Sequence, residues 1–251
     1  MRALVVVPTY NEAANLPKVV ERLPTAAPDT EISLLVVDDD SPDGTGAIAD
    51  ELAARHAHVD VLHRNAKGGL GGAYRAGFAW GMQRDFDVFC EMDADLSHDP
   101  GDVPRLLHAL RGADLVIGSR YIPGGGVVDW PPHRLALSRG GNRYVQAVTG
   151  MPVQDATSGF RAYRRAVLEE LSLETVRSDG YSFQLEMALC TWRLGFRVVE
   201  VPIMFVERTE GASKISRAIV AEALWRVVQW GVQGPRQPAP AHPRSVTVTA
   251  T

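Results

Sequence analysis

Short apolar runs alternate with longer amphipathic segments along the first half of the chain. The short runs are rich in β-branched residues and predict buried strands at residues 3–7, 32–37, 59–62, 87–92 and 115–118. The longer segments have helical periodicity and cover residues 12–23, 45–55, 70–82 and 103–110. Alternation of strand and helix predicts an α/β fold, a mostly parallel sheet with helices on both faces. Asp102, and Ser41 or Asp43, are candidate helix caps.

The second half departs from this alternation. A Gly/Pro loop at 123–132 precedes helical patterns at 135–149 and 183–194 and a further strand at 197–201. We expect one domain over 1–232, ending in an amphipathic helix at about 215–231. That helix either packs on the core or lies in a lipid headgroup region, since Trp225 falls on its polar side. Residues 233–251 are rich in Gly, Pro, Gln and Ala and predict a disordered tail.

Composition narrows the class of protein. The 251 residues are 45% hydrophobic and 22% charged with a net charge of -4, which excludes a disordered chain and disfavours non-specific nucleic-acid binding. Cys90 and Cys190 lie in apolar surroundings and match no zinc or disulfide pattern, so we expect reduced core cysteines in a cytoplasmic protein. No run of about 18 apolar residues predicts a membrane span.

The predicted strands end in polar residues. Ligands of an open parallel sheet bind at the carboxyl ends of its strands, and here those ends lead into residues 8–12, 38–45 and 93–95. Six aspartates therefore meet at one edge. Such crowding requires a cation or hydrogen-bond donors, because like charges at close range repel one another.

Asp93 and Asp95 are the strongest metal-ligand candidates. Residues two apart in an extended segment point to the same side, so both carboxylates can bind one Mg²⁺ or Mn²⁺ that in turn holds a diphosphate. The alternative is a capped turn before the next helix. The run from Asp38 to Thr45 has a similar alternative, an Asx-rich turn capping a helix, which leaves Asp39 to bind a ligand.

A glycine-rich segment at 67–72 can be compared with the known nucleotide-binding motifs. The dinucleotide fingerprint fails because its last position is Tyr74, and no P-loop is present. What remains is a glycine-permissive helix start beside Lys67, suited to a nucleotide or to close helix packing.

Taken together, the motifs resemble those of the polyprenol (dolichol) phosphate mannose synthases, inverting family-2 glycosyltransferases. The matching stretches are VVPTYNEAANLP, VVDDDSPDGTG, KGGLGGAYRAG, MDADLSHDP, GSRY, LSRGGNRYVQAVTG, DATSGFRAYRR, GYSFQLEM and PIMFVERTEGASKIS. The first four are shared widely among family-2 enzymes, whereas TSGFR, GYSFQ and ERTEGASK are specific to the lipid-phosphate branch. The resemblance implies a GT-A fold, a nucleotide-sugar donor and a polyprenyl phosphate acceptor in the membrane.

The resemblance also implies roles for individual residues. Nucleoside-binding positions are Pro8, Tyr10, Glu12, Val37 and Asp39, with Lys67 nearby. The metal and diphosphate motif is Asp93, Ala94 and Asp95, and Ser97 stands where relatives often carry a metal-binding Gln. Basic positions facing the phosphates are Arg120, Arg139, Arg208 and Lys214. We expect Asp95, Arg120 and Arg139 to carry catalysis, with Mg²⁺ or Mn²⁺ as cofactor.

The chemistry of the expected reaction agrees with these residue types. A phosphate monoester has a second pKa of about 6, so its oxygen can attack an anomeric carbon without a catalytic histidine. The departing diphosphate needs a cation, and arginine grips phosphate bidentately. The alternative for each arginine taken alone is a surface salt bridge.

The expected activity is transfer of mannose from GDP-mannose to polyprenyl monophosphate for lipid-linked glycosylation, at the cytoplasmic face of a membrane. UDP-glucose or a UDP-N-acetylhexosamine is an alternative donor. A sugar nucleotidylyltransferase would carry a glycine-rich loop after its first strand, and a non-catalytic nucleotide-sugar-binding protein would not need Asp95 and the basic residues. Some relatives carry C-terminal spans and others rely on an integral membrane partner protein.

Overall fold

The computed structural model describes residues 1–171, 173–176, 178, 180–207, 226–231 and 246–248. The strands are β1 (Arg2–Thr9), β2 (Ala26–Ala27), β3 (Thr30–Asp38), β4 (Val59–His63), β5 (Val88–Glu91), β6 (Leu115–Ser119), β7 (Gly126–Val128), β8 (Arg161–Arg164), β9 (Val198–Pro202), β10 (Met204–Val206) and β11 (Val246–Val248). The α-helices are α1 (Leu16–Arg22), α2 (Thr45–Arg55), α3 (Leu70–Met82), α4 (Val103–Ala109), α5 (Pro132–Thr149), α6 (Arg165–Glu170) and α7 (Gly180–Arg193). Single 3₁₀ turns span Pro100–Asp102, Leu110–Gly112 and Leu173–Thr175, and residues 226–231 are helical.

Most of these strands form one mixed sheet. Over the described residues its order is β11-β9-β6-β8-β5-β1-β3, and both β2 and β4 pair with β3. Only β2 and β8 run antiparallel to their neighbours, so the prediction of a mostly parallel sheet is confirmed. Strands β7 and β10 pair with each other separately.

The strand order determines where a ligand can bind. From β1 the chain moves to β3 and β4 on one side and then returns to β5 on the other side of β1. This reversal leaves a crevice beyond the carboxyl ends of β1, β3 and β5, which is where ligands bind in open α/β sheets. The polar residues after those strands therefore line one crevice.

Two apolar cores cover the faces of the sheet. Alternate residues of β1 enter different cores: Leu4 and Val6 pack with α3, and Val5 and Val7 pack on the opposite face. Helix α3 lies very close to the sheet, because a Cβ on Gly77 would come 2.4 Å from Val6 Cγ1. Cys90 is buried and Cys190 half-buried, and within the described residues neither forms a disulfide.

Several predicted helix starts are corrected. Helix α1 begins at Leu16 rather than at 12, because the backbone N–H of Glu12 donates to Thr45 Oγ1 (2.9 Å) outside any helix. Asp43 does cap α2, accepting bonds from the backbone N–H and hydroxyl of Thr45. Asp102 occupies the predicted N-cap position of α4, but its side chain makes no cap bond and instead pairs with Arg105 at 3.0 Å.

The chain beyond β6 contains elements that periodicity did not predict. Strand β8 has four residues, two of them arginine, so it lacks the apolar signal of a buried strand. Residues 246–248, within the segment expected to be disordered, pair in parallel with residues 198–200. Nowhere in the described ranges does a helix combine the length and apolar character needed to cross a membrane.

The described end of the predicted amphipathic helix packs on the core. Val227 and Trp230 are buried, and Arg193 of α7 donates to the Trp230 carbonyl at 2.6 Å. Over residues 226–231 the structure thus favours core packing. Residues 215–225, with Trp225, lie outside the described part of the chain.

Replacing Gly77 by alanine should destabilise the fold, because the new methyl group collides with Val6 and forces α3 away from the sheet. Overpacking of this kind costs about 1–3 kcal/mol, partly offset by about 1 kcal/mol of helix propensity. Gly140 in α5 is the matched control, since its Cβ would meet nothing within 4 Å. Urea unfolding should show Gly77→Ala less stable and Gly140→Ala slightly more stable than the parent; the reverse order would contradict the packing.

Candidate active site

Asp38, the last residue of β3, has a structural role. Asp38 is buried and accepts hydrogen bonds from the hydroxyls of Thr9 (3.0 Å) and Ser41 (2.6 Å) and from the Ser41 backbone N–H. Ser41 Oγ in turn accepts from the backbone N–H of Asn11. Asp38 thus ties the loop after β3 to the end of β1, and Ser41 serves this loop rather than capping α2.

The second aspartate, Asp39, holds a buried ion pair at the floor of the crevice. Its Oδ1 lies 2.5 Å from Arg64 Nη1, and its Oδ2 accepts from the Gly68 backbone N–H at 2.9 Å. Arg64 fits only because its neighbours are glycines: a Cβ on Gly68 would lie 2.2 Å from Arg64 Nη2. The pair offers carboxylate acceptors beside guanidinium donors, a combination suited to a nucleobase edge.

The other residues predicted to bind the nucleoside have the following settings. Lys67 Nζ lies 3.8 Å from the centre of the Tyr10 ring, a cation–π contact. Glu12 Oε2 accepts from Asn15 Nδ2 at 2.9 Å. The side chain of Val37 belongs to the apolar core, so only its main chain can face a ligand. Pro8 lies in β1 beside Val37 of β3.

The predicted metal motif follows β5. The side chain of Asp93 is 33% exposed, and its Oδ1 lies 3.4 Å from the hydroxyl of Tyr74. Burial raises the pKa of Tyr74 well above its usual value and the charge of Asp93 adds to this, so the hydroxyl keeps its proton. Asp95 Oδ1 accepts from the backbone N–H of Ser97 at 3.0 Å. Ala94 between them is buried.

The donor set suits a hard divalent cation. Carboxylate oxygens are preferred ligands of Mg²⁺ and Mn²⁺. Across the described residues no three His, Cys, Asp or Glu side chains are grouped to hold a metal. A site with two carboxylates leaves coordination positions for phosphate oxygens and water, the usual arrangement for Mg²⁺ with a nucleotide.

Ser97 and His98 form the buried side of this motif. Ser97 is buried and its carbonyl accepts from the backbone N–H of Val206 in β10 (3.2 Å); a metal-binding role for its hydroxyl stays a prediction. His98 is also buried, and burial lowers its pKa to about 4, so the ring is neutral at pH 7. Its Nδ1 lies 4.0 Å from Asp93 Oδ2, too far for a hydrogen bond.

Arg120, predicted to face the phosphates, is paired inside the protein. Its Nε and Nη2 bind the two oxygens of Asp155 at 2.7 and 2.6 Å, and Nη2 also donates to Thr157 Oγ1. Burial alone would raise the pKa of Asp155, but Arg120 outweighs burial and holds this pKa below its usual range. A bidentate pair of this kind fixes the plane of the guanidinium.

The loop that carries Asp155 is itself anchored. Buried Glu200 of β9 accepts from the backbone N–H groups of Gln154 (2.8 Å) and Asp155 (2.9 Å). Asn142 of α5 bridges the same loop, accepting from the Ala156 backbone N–H and donating to Thr157 Oγ1. Arg120 therefore rests on contacts from three separate elements.

The other basic residues predicted to face the phosphates differ from Arg120 in their surroundings. Arg139 is an exposed residue of α5 whose guanidinium carbon lies 5.5 Å from the centre of the Tyr121 ring, and the Arg120 guanidinium carbon lies 5.2 Å from the same ring centre. Arg208 and Lys214 lie outside the described residues.

A buried polar layer supports the metal motif from behind. Glu91, the last residue of β5, is fully buried 3.9 Å from Arg161, and burial raises its pKa to about 7 against the opposing charge of Arg161. Arg161 donates to the carbonyls of Ser158, Ala156 and Gln184. This arginine therefore fixes the chain that passes behind Asp93.

Sequence reasoning gave no role to Arg64, His98 or Asp155. Arg64 directly follows β4, so inspecting the end of every strand would have found it. His98 and Asp155 lie within motifs that carry the family resemblance, yet the contact between Asp155 and Arg120 spans 35 residues. No local pattern predicts such a contact.

Breaking the buried ion pair should cost far more than breaking a surface one. Asp155→Asn leaves Arg120 buried without its counter-charge, a loss of about 3–5 kcal/mol. The control is Glu169→Gln, which removes an exposed pair with Arg165 (2.8 Å) and should cost about 0.3–0.5 kcal/mol. Urea unfolding at pH 7 measures both, and similar small losses would contradict the role of the pair.

The same pair sets a pH dependence. Because the pKa of folded Asp155 lies below its unfolded value of about 3.9, the stabilisation is complete above that value and is lost as the pH falls through the folded pKa. The stability difference between the parent and Asp155→Asn should therefore shrink in acid, as measured by urea unfolding across pH 2–6.

The sequence of this chain matches a known protein family and several known enzymes. The model of glycosyl transferase family 2 matches residues 4–172. The undecaprenyl-phosphate mannosyltransferase of Micrococcus luteus is 53% identical over 232 residues, covering 92% of this chain and 95% of that protein. The polyprenol monophosphomannose synthase of Mycolicibacterium smegmatis is 53% identical over 238 residues, covering 93% and 88%.

A solved structure supports the same fold. A mannosyltransferase from Pyrobaculum calidifontis, in complex with GDP-Man and Mn²⁺, matches with a TM-score of 0.62 at 18% identity over 94% of this chain and 66% of that one. The α/β architecture predicted from the sequence is confirmed as the GT-A fold. This chain belongs to the family-2 glycosyltransferases.

Proposed function

We propose that this enzyme transfers mannose from GDP-mannose to a polyprenyl monophosphate with inversion at the anomeric carbon. The observation that carries the proposal is the 53% identity, over more than nine-tenths of the chain, to two proteins named for mannosyl transfer to this lipid class. The catalytic domain is proposed to span residues 1–232. The geometry of the crevice supports each part of the reaction separately.

The donor nucleotide is proposed to bind at the ends of β1 and β3. Guanine has N–H donors at N1 and N2 and acceptors at O6 and N7. The Asp39 carboxylate and the Arg64 guanidinium, 2.5 Å apart, offer the complementary groups, and arginine is a frequent partner of O6 and N7. Uracil offers a similar N–H donor and carbonyl acceptor, so the choice of GDP-mannose over a uridine donor rests on the mannosyltransferase relatives.

The diphosphate is proposed to lie near Asp93 and Asp95 with Mg²⁺ or Mn²⁺ between them. Such a cation stabilises the charge that develops on the departing diphosphate. Ser97 holds Asp95 through its backbone N–H and Tyr74 contacts Asp93, so the protein orients both carboxylates before the nucleotide binds.

The acceptor supplies its own nucleophile. A phosphate monoester is largely doubly ionised at pH 7, so one oxygen attacks the anomeric carbon as the bond to the GDP oxygen breaks and its electron pair leaves with GDP. No proton moves to or from the enzyme. Arg120, held by Asp155, and Arg139 are proposed to receive the acceptor phosphate, with Arg208 and Lys214 as further cations.

Helix α5 supports contact with an anionic membrane surface. It carries Arg134, Arg139 and Arg143 and no acidic residue over its 18 positions. Leu137 on the same helix is 63% exposed. A basic helix with an exposed apolar side chain is typical of an interfacial position, so we propose peripheral binding at the cytoplasmic face.

The proposed reaction is tested by incubating the purified chain with a short-chain polyprenyl phosphate and each of three donors: GDP-mannose, UDP-glucose and a UDP-N-acetylhexosamine. We expect release of the nucleoside diphosphate from GDP-mannose but not from either UDP-sugar, and only when lipid phosphate is present. Release without lipid would indicate hydrolysis, incorporation of a nucleoside monophosphate would indicate a nucleotidylyltransferase, and binding without release would indicate a non-catalytic protein.

Asp95→Ala should abolish transfer without unfolding the chain, because it removes a charge at the crevice rather than core volume. We expect kcat to fall by at least about 10²–10³-fold, the scale of losing one transition-state electrostatic contact. EDTA should have a comparable effect on the parent enzyme. Full activity in EDTA would contradict a metal-assisted departure of GDP.

Leu137→Asp should weaken membrane binding while leaving the reaction on a detergent-soluble, short-chain acceptor unchanged. The substitution puts a carboxylate where apolar contact is proposed, at the cost of about 1–3 kcal/mol of side-chain burial. Sedimentation with phosphatidylglycerol vesicles measures binding, and Leu137→Met is the control. Equal binding of both variants would contradict a membrane-facing α5 and leave a partner membrane protein as the anchor.

A further inference from the structure

His98 is a buried polar side chain without a hydrogen-bond partner at the proposed metal motif. It is 2% exposed, and its Nδ1 has no hydrogen-bond partner. An unsatisfied buried polar atom typically costs about 1–3 kcal/mol. Such a cost in a folded protein points to a role that is completed only when a ligand binds.

Aromatic neighbours hold the His98 ring in one orientation. Phe160 stacks on it at 5.1 Å with an interplanar angle of 13°, and Phe205 meets it edge-on at 5.3 Å. The backbone of the preceding residue is also held, since Ser97 accepts a hydrogen bond from Val206. The ring therefore cannot turn freely to find another partner.

A carboxylate oxygen of the proposed metal motif lies just beyond hydrogen-bond distance of Nδ1. Asp93 Oδ2 lies 4.0 Å from Nδ1, while Asp93 Oδ1 faces the Tyr74 hydroxyl. Gly159 borders the same carboxylate, since a Cβ there would lie in ordinary contact, 3.5 Å from Asp93 Oδ2. Closing the gap to His98 requires Oδ2 to move by about 1 Å.

We propose that His98 is a positioning residue for Asp93, donating a hydrogen bond from Nδ1 to Oδ2 when the carboxylate binds the divalent cation. This inference rests on the proposed metal site of the transferase. A donor at this position holds the carboxylate in one orientation toward the cation. Hydrogen-bond partners of metal-binding side chains typically raise the affinity for the metal by about 10–100-fold.

The experiment measures Mn²⁺ binding to the full chain by the loss of the free-ion EPR signal in the presence of saturating GDP. His98→Phe keeps an aromatic ring between Phe160 and Phe205 but removes the donor. His98→Asn places an amide nitrogen close to the position of Nδ1. His108→Phe, on the exposed face of α4, is the matched control.

We expect His98→Phe to weaken Mn²⁺ binding about 10–100-fold, His98→Asn to restore most of it, and the control to match the parent. GDP binding in EDTA should be the same in all four proteins, which separates the effect from general damage to the site. Parent-like Mn²⁺ affinity of His98→Phe would overturn the inference. If His98→Asn binds Mn²⁺ as weakly as His98→Phe, the inference is also overturned, because the donor that asparagine supplies would then have no effect on binding.

The same experiment distinguishes failure of the proposed metal site from failure of the proposed role of His98. If the parent chain with GDP binds no Mn²⁺, both the metal site and the inference fall. If the parent binds Mn²⁺ and His98→Phe binds it equally, only the role of His98 falls.

Discussion

Carboxylates gathered at the carboxyl edge of a parallel sheet repel one another unless each has a donor or a cation. In this enzyme nearly every such group is satisfied by the protein itself. Asp38 is held by Thr9 and Ser41, and Asp39 by Arg64 and Gly68. The same holds across the crevice for Asp155 and for Glu200. Asp93 and Asp95 are the pair whose chemistry leaves room for an external cation.

The proposed reaction assigns a different task to each of these charged pairs. The Asp39–Arg64 pair combines acceptors and donors suited to the base of the proposed donor, and Asp155 fixes the Arg120 guanidinium that is proposed to receive the acceptor phosphate. Strand β10 contacts both regions, because the backbone N–H of Val206 donates to the carbonyl of Ser97 while Phe205 lies 5.4 Å from the Arg120 guanidinium carbon. The proposed donor and acceptor sites therefore share contacts with one strand.

The parts of this arrangement that the sequence predicted are local ones. The sequence placed Asp93 and Asp95 directly after a buried strand, and the structure has them there, with Ala94 and Asp95 in a turn rather than in extended chain; that their carboxylates share one side stays a prediction. The start of α1 was wrong because Glu12 is bound by Thr45, 33 residues away. The partner of Arg120 is equally remote, and an isolated arginine carries no sign of whether it meets a phosphate or a buried carboxylate.

Elements with a weak apolar signal were missed for a related reason. Strand β8 is stabilised by two neighbouring strands and by the bonds of Arg161 rather than by a hydrophobic pattern. The short strand at residues 246–248 depends on the edge of β9. Tertiary pairing of this kind overrides composition.

The central claim is that an ionised phosphate of the acceptor attacks the sugar directly, with no enzyme nucleophile. The anomeric configuration of the product tests it most directly, measured by the one-bond carbon–hydrogen coupling at C1 in NMR of the isolated mannosyl phosphate lipid. A single displacement on the α-linked donor predicts the β-linked product alone. An α-linked product would mean two displacements through a covalent enzyme intermediate and would contradict the account.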